Sequence, residues 1–208
     1  MRLRCLMLGM ALAGFSGVQA HAGEPTPARV VRTAPAAYPA AAKAAGAQGR
    51  VRVEATLLAS GALADAKVVE SSRSPELDAA ALEAFKQWTM SPALDANGQP
   101  QATRVRQTFG FYKDTLNTGM GAISRKSCAD FVTDMNWFAA KFPELSVSEM
   151  RLYKITLGAF SLAFGGAGSQ FDQVQKIFPT AYDATYEACT EQPKAGFLAI
   201  LRLKVVTR

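Results

Sequence analysis

Histidine is nearly missing from this chain. Among 208 residues there is one, His21, and only three cysteines, Cys5, Cys128 and Cys189. Charge is also sparse: 19% of residues are charged and the formal net charge is +6. That mild excess gives no reason to expect nucleic-acid binding without a clustered basic face. Long hydrophobic runs are rare as well. Residues 155–168 come nearest, and Thr156, Ser161 and a glycine-rich end interrupt them. The 49% hydrophobic share is nonetheless ample for a packed core, so a disordered chain is excluded.

The N-terminus makes the chemistry sparser still. Arg2 and Arg4 precede an uncharged, apolar stretch over residues 5–18, and Ala20-His21-Ala22 has the small-x-small form of a cleavage site. This pattern predicts a secretory signal peptide over residues 1–22. The apolar run is short against the roughly 20 residues of a spanning helix, and an uncleaved anchor is the alternative. Removing residues 1–22 from the 208 leaves 186. It takes away His21, Cys5 and two of the basic residues, so the charge falls from +6 to +4. The remainder has no histidine, which excludes Ser-His-Asp and Cys-His catalysis and His-ligated metals. Paired carboxylates, a metal cluster and a phosphate loop are also not found, so neither an enzyme nor a cofactor is expected. Gly165, Gly166 and Gly168 follow a helical pattern, where a dinucleotide loop would follow a strand.

What is present falls into two parts. Residues 23–37, with Pro25, Pro27 and Pro35, read as an extended lead-in. Residues 38–112 mix helix and strand signals. Ala-rich residues 40–45 are helix-prone after Pro39, and Gly46 and Gly49 close that helix. Val51, Val53, Ala55 and Leu57 then alternate with Arg50, Arg52, Glu54 and Thr56, which predicts a half-buried strand. Ser60-Gly61 turns the chain into a second strand over residues 63–70. Ser74-Pro75 starts a helix whose apolar stripe is Leu77, Ala80, Ala81, Ala84, Phe85 and Trp88, with Pro92 as its stop. Asn97-Gly98 leads to a third strand, residues 103–111. Val105, Gln107, Phe109 and Phe111 lie on one face of it, Arg104, Arg106 and Thr108 on the other. Phe85 and Trp88 are expected in the core. The fold class is therefore α+β: a small α-β-β-α-β sandwich on an antiparallel sheet, followed by an all-α part.

Residues 113–126 read as a linker and residues 127–208 as a helical domain. Ser127 with Asp130 three residues on is a capping box. Helices are expected from Cys128 to a stop at Pro143, over 146–164, from Phe171 to a stop at Pro179, over 180–189, and over 194–205. Cys128 and Cys189 are the thiols left after cleavage. In an exported chain they predict a disulfide, with a redox pair as the alternative.

The run Tyr38-Pro39, GRVRVEATLLASGALADAKVVESS, PELDAAALEAFKQWTMSPA, NGQP and a closing aromatic strand resembles the TonB C-terminal domain over residues 38–112. The resemblance implies a Gram-negative periplasmic protein that captures an outer-membrane TonB-dependent receptor segment as an added β-strand. It also implies energy-coupled transport across the envelope, with inner-membrane motor proteins as partners where the N-terminus is retained. The last strand is then the docking edge, with Thr103, Arg104, Val105, Arg106, Gln107 and Phe109 as the partner-binding residues. Arg104 and Arg106 would read an acidic segment, or form a merely solvated face. The lead-in is short for a spacer, since 15 polyproline residues reach about 45 Å. The frame CADFV … ACTEQPKAGFL resembles small helical periplasmic proteins of the HdeA type, which implies an alternative role as a periplasmic chaperone or assembly factor acting through the helices.

Overall fold

The computed structural model describes residues 24–113, 119–163 and 169–207. The expected signal peptide and the Gly165-Gly166-x-Gly168 helix stop lie outside them. The order is β1 (Arg29–Arg32), α1 (Ala40–Ala44), β2 (Gly49–Leu57), β3 (Leu63–Glu70), α2 (Pro75–Lys86), β4 (Thr89–Ser91), β5 (Ala93–Leu94), β6 (Pro100–Gln101) and β7 (Thr103–Phe111). Five helices follow: α3 (Gly119–Ser124), α4 (Cys128–Lys141), α5 (Arg151–Ala163), α6 (Ser169–Glu191) and α7 (Phe197–Val206). No helix among the described residues is long and apolar enough to cross a membrane.

The α+β expectation is borne out. Three strands form an antiparallel sheet in the order β3-β2-β7. Val51, Val53 and Ala55 point to its inner face, where Leu77, Ala81 and Phe85 of α2 cover them, and Leu57 at the strand end is also fully buried. The turn between β2 and β3 works because Gly61 takes φ +84°, a conformation glycine adopts without steric cost. Tyr38 packs edge-on against Phe111, and its hydroxyl donates to the Ala47 carbonyl, which holds α1 over the sheet end.

Two local expectations are corrected. Helix α2 stops at Lys86 rather than at Pro92, because residues 89–91 leave the helix to pair with β1. Trp88 therefore sits just past the helix, and it still packs against Phe85 and Phe109. The extended lead-in is also docked. Thr26 and Leu94 exchange backbone hydrogen bonds at 3.0 and 2.8 Å, β1 pairs with β4, and the Trp88 indole donates to the Ala34 carbonyl at 3.0 Å. Ser74 does stand at the α2 N-cap position, but its hydroxyl bonds the Glu76 carboxylate instead of a backbone N–H.

The helices share a second core around Phe131, Phe178, Tyr182, Phe197 and Leu201, all with no exposed surface. The expected linker contributes to it: α3 lies within residues 113–126 and buries Ile123. Val147–Glu149 make a short 3₁₀ turn before α5, so that helix starts at Arg151 and not at Ser146. The two helices expected on either side of Pro179 are one. Helix α6 runs 23 residues straight through it. A proline costs one hydrogen bond to the carbonyl four residues earlier, and the fully buried Phe178, Ala181 and Tyr182 around it hold the backbone helical. The Ser127 cap forms as expected, its hydroxyl accepting from the Asp130 N–H at 3.1 Å.

Cys128 and Cys189 form a disulfide with no exposed surface, joining the first turn of α4 to the last of α6. The sheet and the helices also touch. Gly46, at φ +79°, lies against α4 so closely that a Cβ there would come within 2.9 Å of the Thr133 carbonyl oxygen. Beside it the fully buried Asp134 carboxylate takes Lys126 at 2.8 Å and Lys113, just after β7, at 2.5 Å. Arg73 reaches from the β3–α2 loop to Glu144 and the Lys141 carbonyl, with its guanidinium 4.4 Å from the Phe142 ring centre.

Two substitutions probe these ties. Replacing both Cys128 and Cys189 by Ser should lower the unfolding free energy by about 4 kcal/mol on the loop-closure model, read in denaturant melts. Asp134→Ala leaves the buried Lys126 and the half-buried Lys113 beside an empty site and should cost about 3–5 kcal/mol in the same assay.

Candidate protein-docking edge

The site is built on backbone as much as on side chains. Strand β7 pairs with β2 in an unbroken register of nine residues, from Gly49 opposite Phe111 to Leu57 opposite Thr103. Among the described residues no strand pairs with its other edge. An edge of this kind presents backbone N–H and C=O groups to a further strand, although the Thr108 carbonyl already accepts from the Gln107 side chain at 2.8 Å. Nothing in its sequence interrupts the row: residues 103–111 contain no proline, and no residue there takes a positive φ.

The opposite edge is different. The β2–β3 pairing slips register twice, between Arg52 and Val53 and between Glu54 and Thr56. Within β3 Asp65 takes φ +53°. Bulges of this kind twist an edge away from further pairing, and the exposed Lys67 adds charge to it. The sheet thus has one guarded edge and one open one.

All six expected partner-binding residues lie on β7, but in different positions. Arg104 and Arg106 point to the outer face. Thr103, Val105 and Gln107 lie half-buried on the inner face. Phe109 is a core residue, ringed edge-on by Phe85 and Trp88 at 6.3 and 5.8 Å between ring centres. It supports the strand from beneath, so its side chain is not on offer to a partner. The two arginines are already engaged. Arg106 donates to the Glu54 carboxylate at 2.7 Å, and Arg104 lies 3.7 Å from its other oxygen.

Glu54 is the residue that sequence pattern alone did not single out. Alternation put it on the wet face, yet it is only 8% exposed. The cause is cross-strand geometry. Arg106 stands directly opposite on β7, Lys67 directly opposite on β3, and Arg104 on the diagonal, so their long stems roof the carboxylate. The hydrogen bond from Arg106 holds the Glu54 carboxyl below the usual glutamate range. Burial opposes that shift, while the charges of Arg104, Arg106 and Lys67 add to it. Three cations on one carboxylate leave this part of the face net positive.

Residues 34–112 match the family model of the Gram-negative bacterial TonB protein C-terminal. Two curated relatives, both Protein TonB from strains of Xanthomonas campestris pv. campestris, are 40% identical over 77 residues, which is 37% of this chain and 34% of each relative. The chain therefore spans about a third of the length of the curated relatives it matches. A solution NMR structure of the Pseudomonas aeruginosa TonB CTD shares 30% identity with a TM-score of 0.37, covering 42% of this chain and 88% of that one.

A carboxyl whose pKa is lowered in the folded state adds stability above its unfolded value, and that stability is lost as pH falls through the folded value. Glu54→Gln should therefore lower the thermal midpoint at pH 7. The gap between wild type and variant should close as pH drops below the ordinary glutamate value of about 4.3. Thermal melts from pH 7 down to pH 3 measure it.

Proposed function

We propose that this chain, whose residues 34–112 belong to the Gram-negative TonB C-terminal family, works in the periplasm and captures a segment of an outer-membrane TonB-dependent receptor as a strand added to β7. The observation that carries this reading is the open, bulge-free edge of β7 on a sheet whose other edge is guarded. Strand addition draws its affinity from backbone hydrogen bonds and its selectivity from alternate side chains. Here an incoming strand would lie beside Arg104 and Arg106 on one face and Val105 and Gln107 on the other. The positive surplus around Glu54 favours acidic residues on the outward side of that strand. A role in energy-coupled transport follows from the family, as does a link to inner-membrane motor proteins if the N-terminus stays as an anchor. The buried Cys128–Cys189 disulfide suits an oxidising compartment such as the periplasm.

Hydrogen exchange tests the docking edge. With a saturating peptide from the N-terminal box of such a receptor, alternate amides of residues 103–111 should gain protection, with no gain along 63–70. Protection on β3 alone, or none on β7 at saturation, would contradict it.

A further inference from the structure

Where the sheet ends and the helices begin, the surface opens into a cleft of about 270 Å³. The starts of β2 and α5, the ends of β3 and β7, and the far end of α4 all contribute to it. Its apolar wall comes from Trp137, Phe138, Phe142 and Leu145, and Tyr112 closes the sheet side. Tyr112 is held in place: the Arg151 guanidinium lies 4.3 Å from its ring centre. The ring folds over Gly110, where a Cβ would come within 3.1 Å of it. Gly110 stands opposite Arg50 on β2, so the outer face of the sheet runs directly into the cleft.

The charges lining it do not balance. Its three acids are already neutralised from their flanks: Glu70 by Arg52 at 3.1 Å, Glu149 by Lys154 at 2.6 Å, and Asp134 by Lys113 and Lys126. Arg50, exposed at the rim, makes no ion pair among the described residues. The site is therefore aromatic inside with an unspent positive charge at its mouth. Its volume is below the roughly 300–1,000 Å³ of pockets that enclose a whole small ligand. It suits one large side chain of a longer partner.

We propose that this cleft takes an aromatic side chain of an acidic protein segment, and that the helices thereby extend the docking surface that starts at β7. The identity of the occupant as a protein segment rests on the strand-addition reading; the aromatic and acidic character comes from the cleft itself. Arg50 meets a carboxylate flanking the inserted ring, and Trp137 and Phe142 take the ring. Exposed ring–ring contact and a rim ion pair are each modest, so a short peptide should bind weakly and a continuous segment more tightly.

The probes are three capped peptides, acetyl-Asp-Phe-Asp-amide, acetyl-Lys-Phe-Lys-amide and acetyl-Asp-Ala-Asp-amide, titrated into the full chain. The readout is the two tryptophan indole N–H signals, with that of Trp137 assigned by Trp137→Phe. The expected result is a saturable shift of Trp137 but not Trp88, largest in affinity for the Asp-Phe-Asp peptide. Arg50→Gln should weaken that binding by about threefold, the size of an exposed ion pair. Leu145→Asn, at an exposed wall position, should weaken it without altering the melt. No saturable Trp137 shift, equal binding of the lysine peptide, or indifference to both substitutions would overturn the proposal. The receptor-box peptide separates the two readings. Protection on β7 with an unmoved Trp137 rejects the cleft alone, and a moved Trp137 without protection on β7 rejects strand addition alone.

Discussion

Asp134 has no exposed surface, and an ionised carboxylate out of water is costly unless cations and hydrogen bonds meet it. Lys126 comes from the helical side and Lys113 from the residue pair that follows β7. Satisfying this one group therefore requires the end of the sheet to lie against α4. Gly46 allows that approach by having no side chain where the Thr133 carbonyl stands. Arg73 then closes the far side on Glu144, and Trp137 packs into the sheet's own core. The cleft is what remains between surfaces held together at these points.

The same logic, a charge placed by its neighbours, organises the outer face of the sheet. Glu54 sits between cations on both adjacent strands and meets Arg104, Arg106 and Lys67 at once. It ties β3, β2 and β7 together on the side that no helix covers among the described residues. Because its partners outnumber it, the tie does not cancel the charge of the face. Structural cohesion and a positive surplus come from one cluster.

Much of this was legible in the residues. Alternation along 51–57 and 103–111 placed both long strands, Ser60-Gly61 placed the hairpin turn, and the lone thiol pair placed the disulfide. What escaped was decided by contacts distant in sequence. The end of α2 depended on β1 pairing with residues 89–91, more than fifty positions away. Pro179 marked a stop by local rules, and burial on both sides overrode it. Glu54 read as wet because period-two alternation records which face a side chain takes and not what lies over it. Arg104 and Arg106 read as free for the same reason. The cleft had no sequence signature at all, since its walls come from five separate segments.

The Cys128–Cys189 bond bridges positions 61 apart in sequence. A stretch of that length drawn out fully would reach about 200 Å. With the bond closed, none of that slack can pay out. A pull on the two ends of the molecule would lengthen it only through segments outside the loop, and α4, α5 and α6 would travel as a single inextensible bead. Any lengthening between β7 and that bead would fall on the residues from 112 to 127, which lie outside the loop.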